Sequence, residues 1–430
     1  MARKLDTRAP GFPEAFEALL GSRSTVMADA EAAARAAIEQ VRREGLPALL
    51  ALTERFDAVR LTPEAVCVTT GEMDAAMGAC APDLIAAMEL AFARILAFHA
   101  REAPSDADWT DAQGVRLGWR WTPVDAAGVY APGGLAAYPS SVLMNIAPAR
   151  AAGVQRIVLA TPPARAGNNP AVLAAARIAG VQEVWRVGGA QAIAALAYGA
   201  GGLRPVDVIV GPGNAYVAAA KKLVFGDVGI DSVAGPSEVF IIAEGGADPA
   251  WIACDLLAQA EHDPAAQSVL LTPDAAFADQ VARAVASQLQ AGQAGESAAA
   301  SWRDHGALVV VRDLAEAVAL CNAAAPEHLQ LAVADPEALL AGVRHAGAVF
   351  LGEHTAEALG DYLAGPNHVL PTGRRARFSS GLSSYAFLKR TTVLGASPEA
   401  ARSLGRPAAV LAAAEGLLAH EQALRLRGSA

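Results

Sequence analysis

Apolar residues recur at helical spacing, with charges between them, over residues 28–57 and again over 82–102. That pattern predicts a helical N-terminal region that supplies packing surface. From about residue 127 the period changes to short β-rich runs: 156–162 (RIVLATP), 183–189 (EVWRVGG), 207–213 (DVIVGPG), 239–244 (VFIIAE), 267–273 (QSVLLTP), 307–311 (ALVVV), 329–333 (LQLAV) and 348–352 (AVFLG). Each is followed by a helical segment, and such alternation predicts parallel sheets. The runs divide into two groups near GPSE (235–238). The expected fold class is therefore α/β: two incomplete Rossmann-like parallel-sheet domains with a cleft between them, a helical N-terminal region and a C-terminal helical arm. The boundaries read as 1–108, 109–238, 239–381 and 382–430. Ligands of open parallel sheets gather at the carboxyl ends of strands, so the residues just after each run are the first candidates for a site. The amphipathic tail 408–427 reads as a docking arm, and 291–301 (AGQAGESAAAS) as a mobile surface loop.

A chain of 430 residues has room for a large core and needs no disulfide or metal merely to fold. Its formal net charge of −10 argues against a nucleic-acid or anionic-membrane surface, both of which want clustered Lys and Arg. Small molecules and other protein chains are the expected partners. The apolar runs break well before the ~18 residues that spanning a bilayer requires. The start, MARKLDTRAPGF, lacks the apolar stretch of a signal peptide. Cys67, Cys80, Cys254 and Cys321 are scattered with no C-x-x-C pair, which suits a reducing cytoplasm. Cys254 and Cys321 read as inert core residues.

Candidate chemistry concentrates in a few places. Among the eight histidines, His99, His305 and His345 sit in surface-type contexts. In LLAQAEHDPAAQ (256–267), Gln259 and His262 are spaced i, i+3 and share one helix face, close enough to hold one cation. A solvated helix end explains the same stretch, with His262 favourable beside the helix dipole. GDYLAGPNHVLP (360–371) offers Asp361 and His368 on a rigid loop, where turn capping is the plain alternative. Glu327 and His328 are adjacent, so they can serve one site only at a strand mouth, where Pro326 breaks the regular backbone; a carboxylate beside an imidazole suits acid-base chemistry. Glu415 and His420 are i, i+5, ~140° apart around one helix, and can share a small ligand only if the helix inserts into a cleft. No G-x-G-x-x-G is present, but 129–141, 186–194 and 210–222 are glycine-rich strand ends running into helices, where free N–H groups favour phosphate.

These residues lie in blocks that together resemble the histidinol dehydrogenase family: GVYAPGGLAAYPSSVLMNIAPARAAGV, VGGAQAIAALAYG, GPGNAYVAAAKK, IDSVAGPSEV, LLAQAEHDPAAQ, APEHLQL, GDYLAGPNHVLPT and AEGLLAHEQAL. The resemblance implies oxidation of L-histidinol to L-histidine through the aldehyde in two NAD-dependent steps, with one zinc ion per active site. It implies zinc ligation by Gln259, His262, Asp361 and His420, acid-base roles for Glu327 and His328, NAD contacts from Tyr130, Gln191 and Asn214, and substrate contacts from Ser237 and Glu415 together with the zinc ligands and His328. It further implies a homodimer whose C-terminal arms cross over, which accommodates the spacing of Glu415 and His420. Relatives of this fold oxidise other polar alcohols, and retention of AEG-x-x-AHE in the arm favours histidinol. A zinc hydrolase without nucleotide, in which Glu327 activates water, and a non-catalytic dimeric relative are the alternatives of other classes.

Overall fold

The computed structural model describes residues 2–21, 27–133, 138–164, 169–233 and 235–428. Part of the glycine-rich segment 129–141 therefore lies outside the described residues. Two six-stranded sheets dominate. The first has the order β2-β7-β6-β5-β8-β9, formed by Cys67–Val68, Glu183–Arg186, Arg156–Thr161, Ala126–Tyr130, Val208–Val210 and Gly229–Ile230. The second has the order β1-β12-β11-β10-β13-β14, formed by Arg3–Asp6, Ala307–Val310, Gln267–Thr272, Glu238–Ala243, His328–Ala332 and Ala348–Leu351. Both are parallel except for β2, an antiparallel edge on the first. A third sheet joins β15 (Leu388–Ala396), β4 (Val115–Pro123) and β3 (Ala107–Thr110) in antiparallel register.

Strand order reverses between β5 and β8 in one sheet and between β10 and β13 in the other, as in half of a nucleotide-binding sheet. Helices cover both faces, so β5, β10, β11 and β13 are buried at every position, including the polar Glu238, Gln267, Ser268, Thr272, His328 and Gln330. Successive residues feed opposite cores. Val239 and Ile241 pack on one side of the second sheet, Phe240 and Ile242 on the other.

The N-terminal region is mainly helical, as expected, and also supplies β1 to the edge of the second sheet; the C-terminal segment contains β15 as well as the expected helices. Other expectations need correction. The segment 291–301 is mostly ordered structure, because helices Ala275–Gln290 and Glu296–His305 leave only 291–295 between them. The tail is two helices, Pro398–Ala414 and Leu418–Gly428, interrupted at Glu415 and at Gly416 with its φ of 72°. His99 is buried: its Nδ1 lies 2.8 Å from Glu102, and Nε2 lies 3.2 Å from the Asn367 amide nitrogen. Among the described residues no helix is long and apolar enough to cross a membrane.

Two features fix the ground on which the site stands. At the reversal point of the first sheet, Gly211 takes φ 118°, where an added Cβ would press on the Tyr130 carbonyl. Its N–H donates to Asp231 (2.8 Å), its carbonyl accepts from Lys221 Nζ (2.9 Å), and Lys221 and Asp231 form a buried ion pair. Segment 363–373 ties the two halves together. Arg94 donates to the Leu363 carbonyl (2.6 Å), Asn367 to the Met144 carbonyl (2.6 Å), and the Gly373 N–H to the Glu238 carboxylate (3.0 Å).

Candidate functional site

Helix Pro249–Ala260 is opened by Asp248, whose carboxylate accepts from the Ala250 N–H, with Pro249 at the first position. Ile252, Ala253, Leu256, Leu257 and Ala260 hold its inner face against the second sheet. Gln259 is drawn into that packing, and its side-chain oxygen Oε1 is buried without a hydrogen-bond partner. His262 lies one turn on, its N–H bonded to the Gln259 carbonyl, with its ring partly open to solvent. Asp263 closes the turn by accepting from the Ala265 N–H (2.7 Å), and Glu261 is exposed. Two of the four ligand-type side chains of this stretch are thus turn and surface residues.

Glu327 and His328 stand where β13 begins, and the mouth of the strand lets both adjacent side chains reach one pocket. His328 Nδ1 lies 3.1 Å from the Glu238 carbonyl, 3.5 Å from Glu357 Oε1 and 3.8 Å from Glu327 Oε2. Donation from Nδ1 to the carbonyl leaves Nε2 as the acceptor nitrogen. That nitrogen is buried, has no hydrogen-bond partner, and lies 4.0 Å from Asp361 Oδ1. Asp361 Oδ2 in turn lies 3.8 Å from His262 Nε2. The short helix Glu357–Tyr362 puts Glu357 and Asp361 at i, i+4 on one face. His368 Nδ1 lies 3.0 Å from the Asp361 carbonyl. His328, Glu357 and Asp361 offer ligand atoms all within 4.8 Å of one another.

The electrostatics of this pocket follow from burial. Desolvation pushes the carboxyls of Glu327 and Glu357 well above the usual carboxylate range, reinforced by Asp361 near both. It raises Asp255, which accepts from the Gln330 amide, and lowers His328 to about 4, leaving a neutral imidazole at pH 7. Glu327 accepts from the Glu238 N–H (3.0 Å) and from the Ser237 hydroxyl. Carboxylates crowded around one neutral imidazole call for a cationic occupant. The partnerless Gln259 oxygen and the adjoining His262 and Asp361 fit a divalent metal, and the ring of acids fits an ammonium group beside it.

This pocket lies at the amino edge of β10 and β13, the opposite of the expected carboxyl edge. The carboxyl-edge expectation describes the first sheet better. There, the Tyr130 hydroxyl accepts from the Gly189 N–H (3.2 Å) at the end of β5, and burial pushes it up to about 12. Gln191, in the first turn of helix Gly189–Tyr198, is buried with its amide nitrogen partnerless. Asn214 caps helix Ala215–Val224, its side-chain oxygen accepting from Tyr216 and Val217. Tyr130 and Asn214 flank the β5/β8 reversal, and a free amide, glycine turns and helix N-termini fit a dinucleotide.

The histidinol dehydrogenase family model matches residues 21–428. The chain belongs to the histidinol dehydrogenase family. It is 56% identical over 427 residues to histidinol dehydrogenase of Cereibacter sphaeroides, covering 99% of this chain and 98% of that one. It is 56% identical over 418 residues to that of Caulobacter vibrioides, covering 97% of each. Among solved structures, the histidinol dehydrogenase of Elizabethkingia anophelis superposes with a TM-score of 0.93 at 34% identity, covering 99% of this chain and 98% of that one. The protein is accordingly an oxidoreductase.

Within this histidinol dehydrogenase fold the single chain brings together His262, Glu327, His328, Asp361 and Ser237, with Gln259 one turn before His262, but not the residues of the arm. Glu415 and His420 are exposed, and the helix carrying His420 packs against the helix before it. They also do not share one continuous helix, so the angular conflict read from their spacing does not arise. Cys321 is buried, as expected, but Cys254 is exposed. Partial burial, Asp255 and Glu261 all raise the Cys254 thiol, so it carries little thiolate.

The sequence reading missed Glu357, Glu238 and the burial of His99. Glu357 had a signal, its i, i+4 spacing to Asp361. Glu238 acts through its backbone and His99 through long-range packing, neither of which has a local signature.

Proposed function

We propose that the protein oxidises L-histidinol to L-histidine through the aldehyde in two successive NAD-linked steps, the last reaction of histidine biosynthesis. The observation that carries this reading is the partnerless His328 Nε2, a neutral imidazole nitrogen buried among carboxylates beside Asp361, which in turn faces His262. Gln259, His262 and Asp361, with His420 from a second copy, would hold one zinc ion. Tyr130, Gln191 and Asn214 would contact NAD. When bound, zinc supplies a Lewis acid for the substrate's imidazole and amine, and NAD supplies the hydride acceptor.

The chain's own residues then have distinct tasks. In the first step His328 accepts the alcohol proton at Nε2, its ring held by the Glu238 carbonyl. Glu327 takes a proton from the water that adds to the aldehyde; burial gives its carboxylate a higher proton affinity than an exposed glutamate. The Ser237 hydroxyl and the Glu238 N–H hold that carboxylate in place. Ser237, Asp361 and Glu415 complete the substrate surroundings, with Glu415, like His420, coming from the crossing arm of a homodimer. A cytoplasmic location agrees with a small-molecule biosynthetic role.

The test is the ratio of NADH formed to histidinol consumed by the purified protein with zinc. About two identifies the four-electron reaction; about one identifies a simple alcohol dehydrogenase, and no NADH overturns the reading.

A further inference from the structure

The helix Leu46–Asp57 ends in a carboxylate that the fold itself does not use. Asp57 Oδ2 is buried and has no hydrogen-bond partner. Desolvation alone raises this carboxyl to about 6, with no cation or donor to offset it. Its place is also unfavourable on local grounds, since a negative charge at a helix C-terminus opposes the macrodipole. A half-buried carboxylate with one oxygen shielded and unpaired, at the wrong helix end, costs stability, and such a violation points to function.

Its surroundings say which. A Cβ added to Gly188 would stand 3.3 Å from Asp57 Oδ1 and 2.6 Å from Pro162. Pro162 follows β6, and Gly188 caps helix Gly189–Tyr198 just after β7. Asp57 therefore sits at the carboxyl edge of the first sheet, beside the helix end that carries the buried, partnerless Gln191 amide and whose Gly189 N–H donates to the Tyr130 hydroxyl. In open parallel sheets a dinucleotide lies across this edge, and a carboxylate at a neighbouring strand end takes the hydroxyls of its ribose. Neither Thr161-Pro162-Pro163 after β6 nor Val187-Gly188 after β7 contains an acid. The N-terminal helix brings one in their place.

We propose that Asp57 accepts hydrogen bonds from the adenosine ribose of the dinucleotide and excludes a 2′-phosphate, selecting NAD over NADP. This rests on the NAD reading above. A ribose hydroxyl supplies the donor that Oδ2 lacks, whereas a 2′-phosphate would bring negative charge against a desolvated carboxylate.

Calorimetric titration of the zinc-loaded full chain with NAD, NADP and 2′-deoxy-NAD tests this without turnover. The wild type is expected to bind NAD, and to bind both analogues more weakly by about 10- to 100-fold, the scale of one charge-assisted hydrogen bond. In Asp57→Asn and Asp57→Ser, NAD affinity is expected to fall while NADP affinity does not, so that the preference collapses. Two substitutions guard against failure of one to fold, which circular dichroism monitors. A wild type that does not bind NAD overturns the dinucleotide reading and this inference with it. A wild type that binds NAD, with variants that keep both its affinity and its preference, overturns the inference alone.

Discussion

The Glu238 carbonyl lies 3.1 Å from His328 Nδ1, and this backbone contact fixes which ring nitrogen is free for chemistry. Donation there leaves Nε2 as the acceptor nitrogen, and Nε2 is the nitrogen without a partner. Glu238 thus orients the His328 imidazole through its main chain, while its side chain accepts from Gly373 and its N–H donates to Glu327.

Under the proposed roles the two half-reactions separate. His328→Gln is expected to slow histidinol oxidation by about 10²- to 10⁴-fold, the usual contribution of a positioned base. Glu327→Gln is expected to leave metal content intact and to slow mainly the aldehyde step. Stopped-flow measurement of each half-reaction, with histidinol and with histidinaldehyde, checks the division; equal loss of both in Glu327→Gln contradicts it.

Removing the Gln259–His262 pair should act on the metal. His262→Asn is expected to lose bound zinc and activity together, read by elemental analysis of the purified protein.

The arm is best tested by mixing subunits. His262→Asn and His420→Asn are each expected to be inactive alone. If the chain is a dimer whose arm crosses, half of the hybrid dimers' sites are intact, and mixing by refolding should restore roughly a quarter of wild-type activity. No recovery in verified hybrids would mean that each arm serves its own subunit.

The Lys221–Asp231 pair beneath Gly211 is buried on both sides. Lys221→Met strands Asp231 without its cation and is expected to destabilise the fold by about 3–5 kcal/mol. Denaturant unfolding measures this, and the double variant Lys221→Met with Asp231→Leu should recover much of the loss.

Asp57 makes a prediction in pH. Its folded pKa of about 6 lies above the ordinary value of 3.8, so between these values the folded state keeps a proton that the unfolded state releases. The resulting penalty is absent below about pH 4, grows as pH rises, and is constant above about pH 6. Asp57→Asn should therefore have a Tm above that of the unliganded wild type at pH 7, and the gap should close as pH falls toward 4. A gap that does not change with pH would show that the carboxylate is not held unpaired.

Much of this architecture was legible in the chain. Short β-rich runs followed by helical segments predict parallel strands, and β10, β11 and β13 are parallel and buried on both faces. The i, i+3 spacing of Gln259 and His262 and the adjacency of Glu327 and His328 flagged the pocket, because helix and strand periodicity fix where neighbouring side chains point. Tertiary structure alone decided that this pocket opens on the amino edge of its sheet, that Glu357 joins it, that His99 is buried, and that Asp57 lies beside Gly188. The reason is that desolvation and the absence of a partner belong to what surrounds a side chain, and the surroundings come from segments distant in sequence. Local spacing shows which residues can meet, but only the packed chain shows which polar atoms are left without a partner.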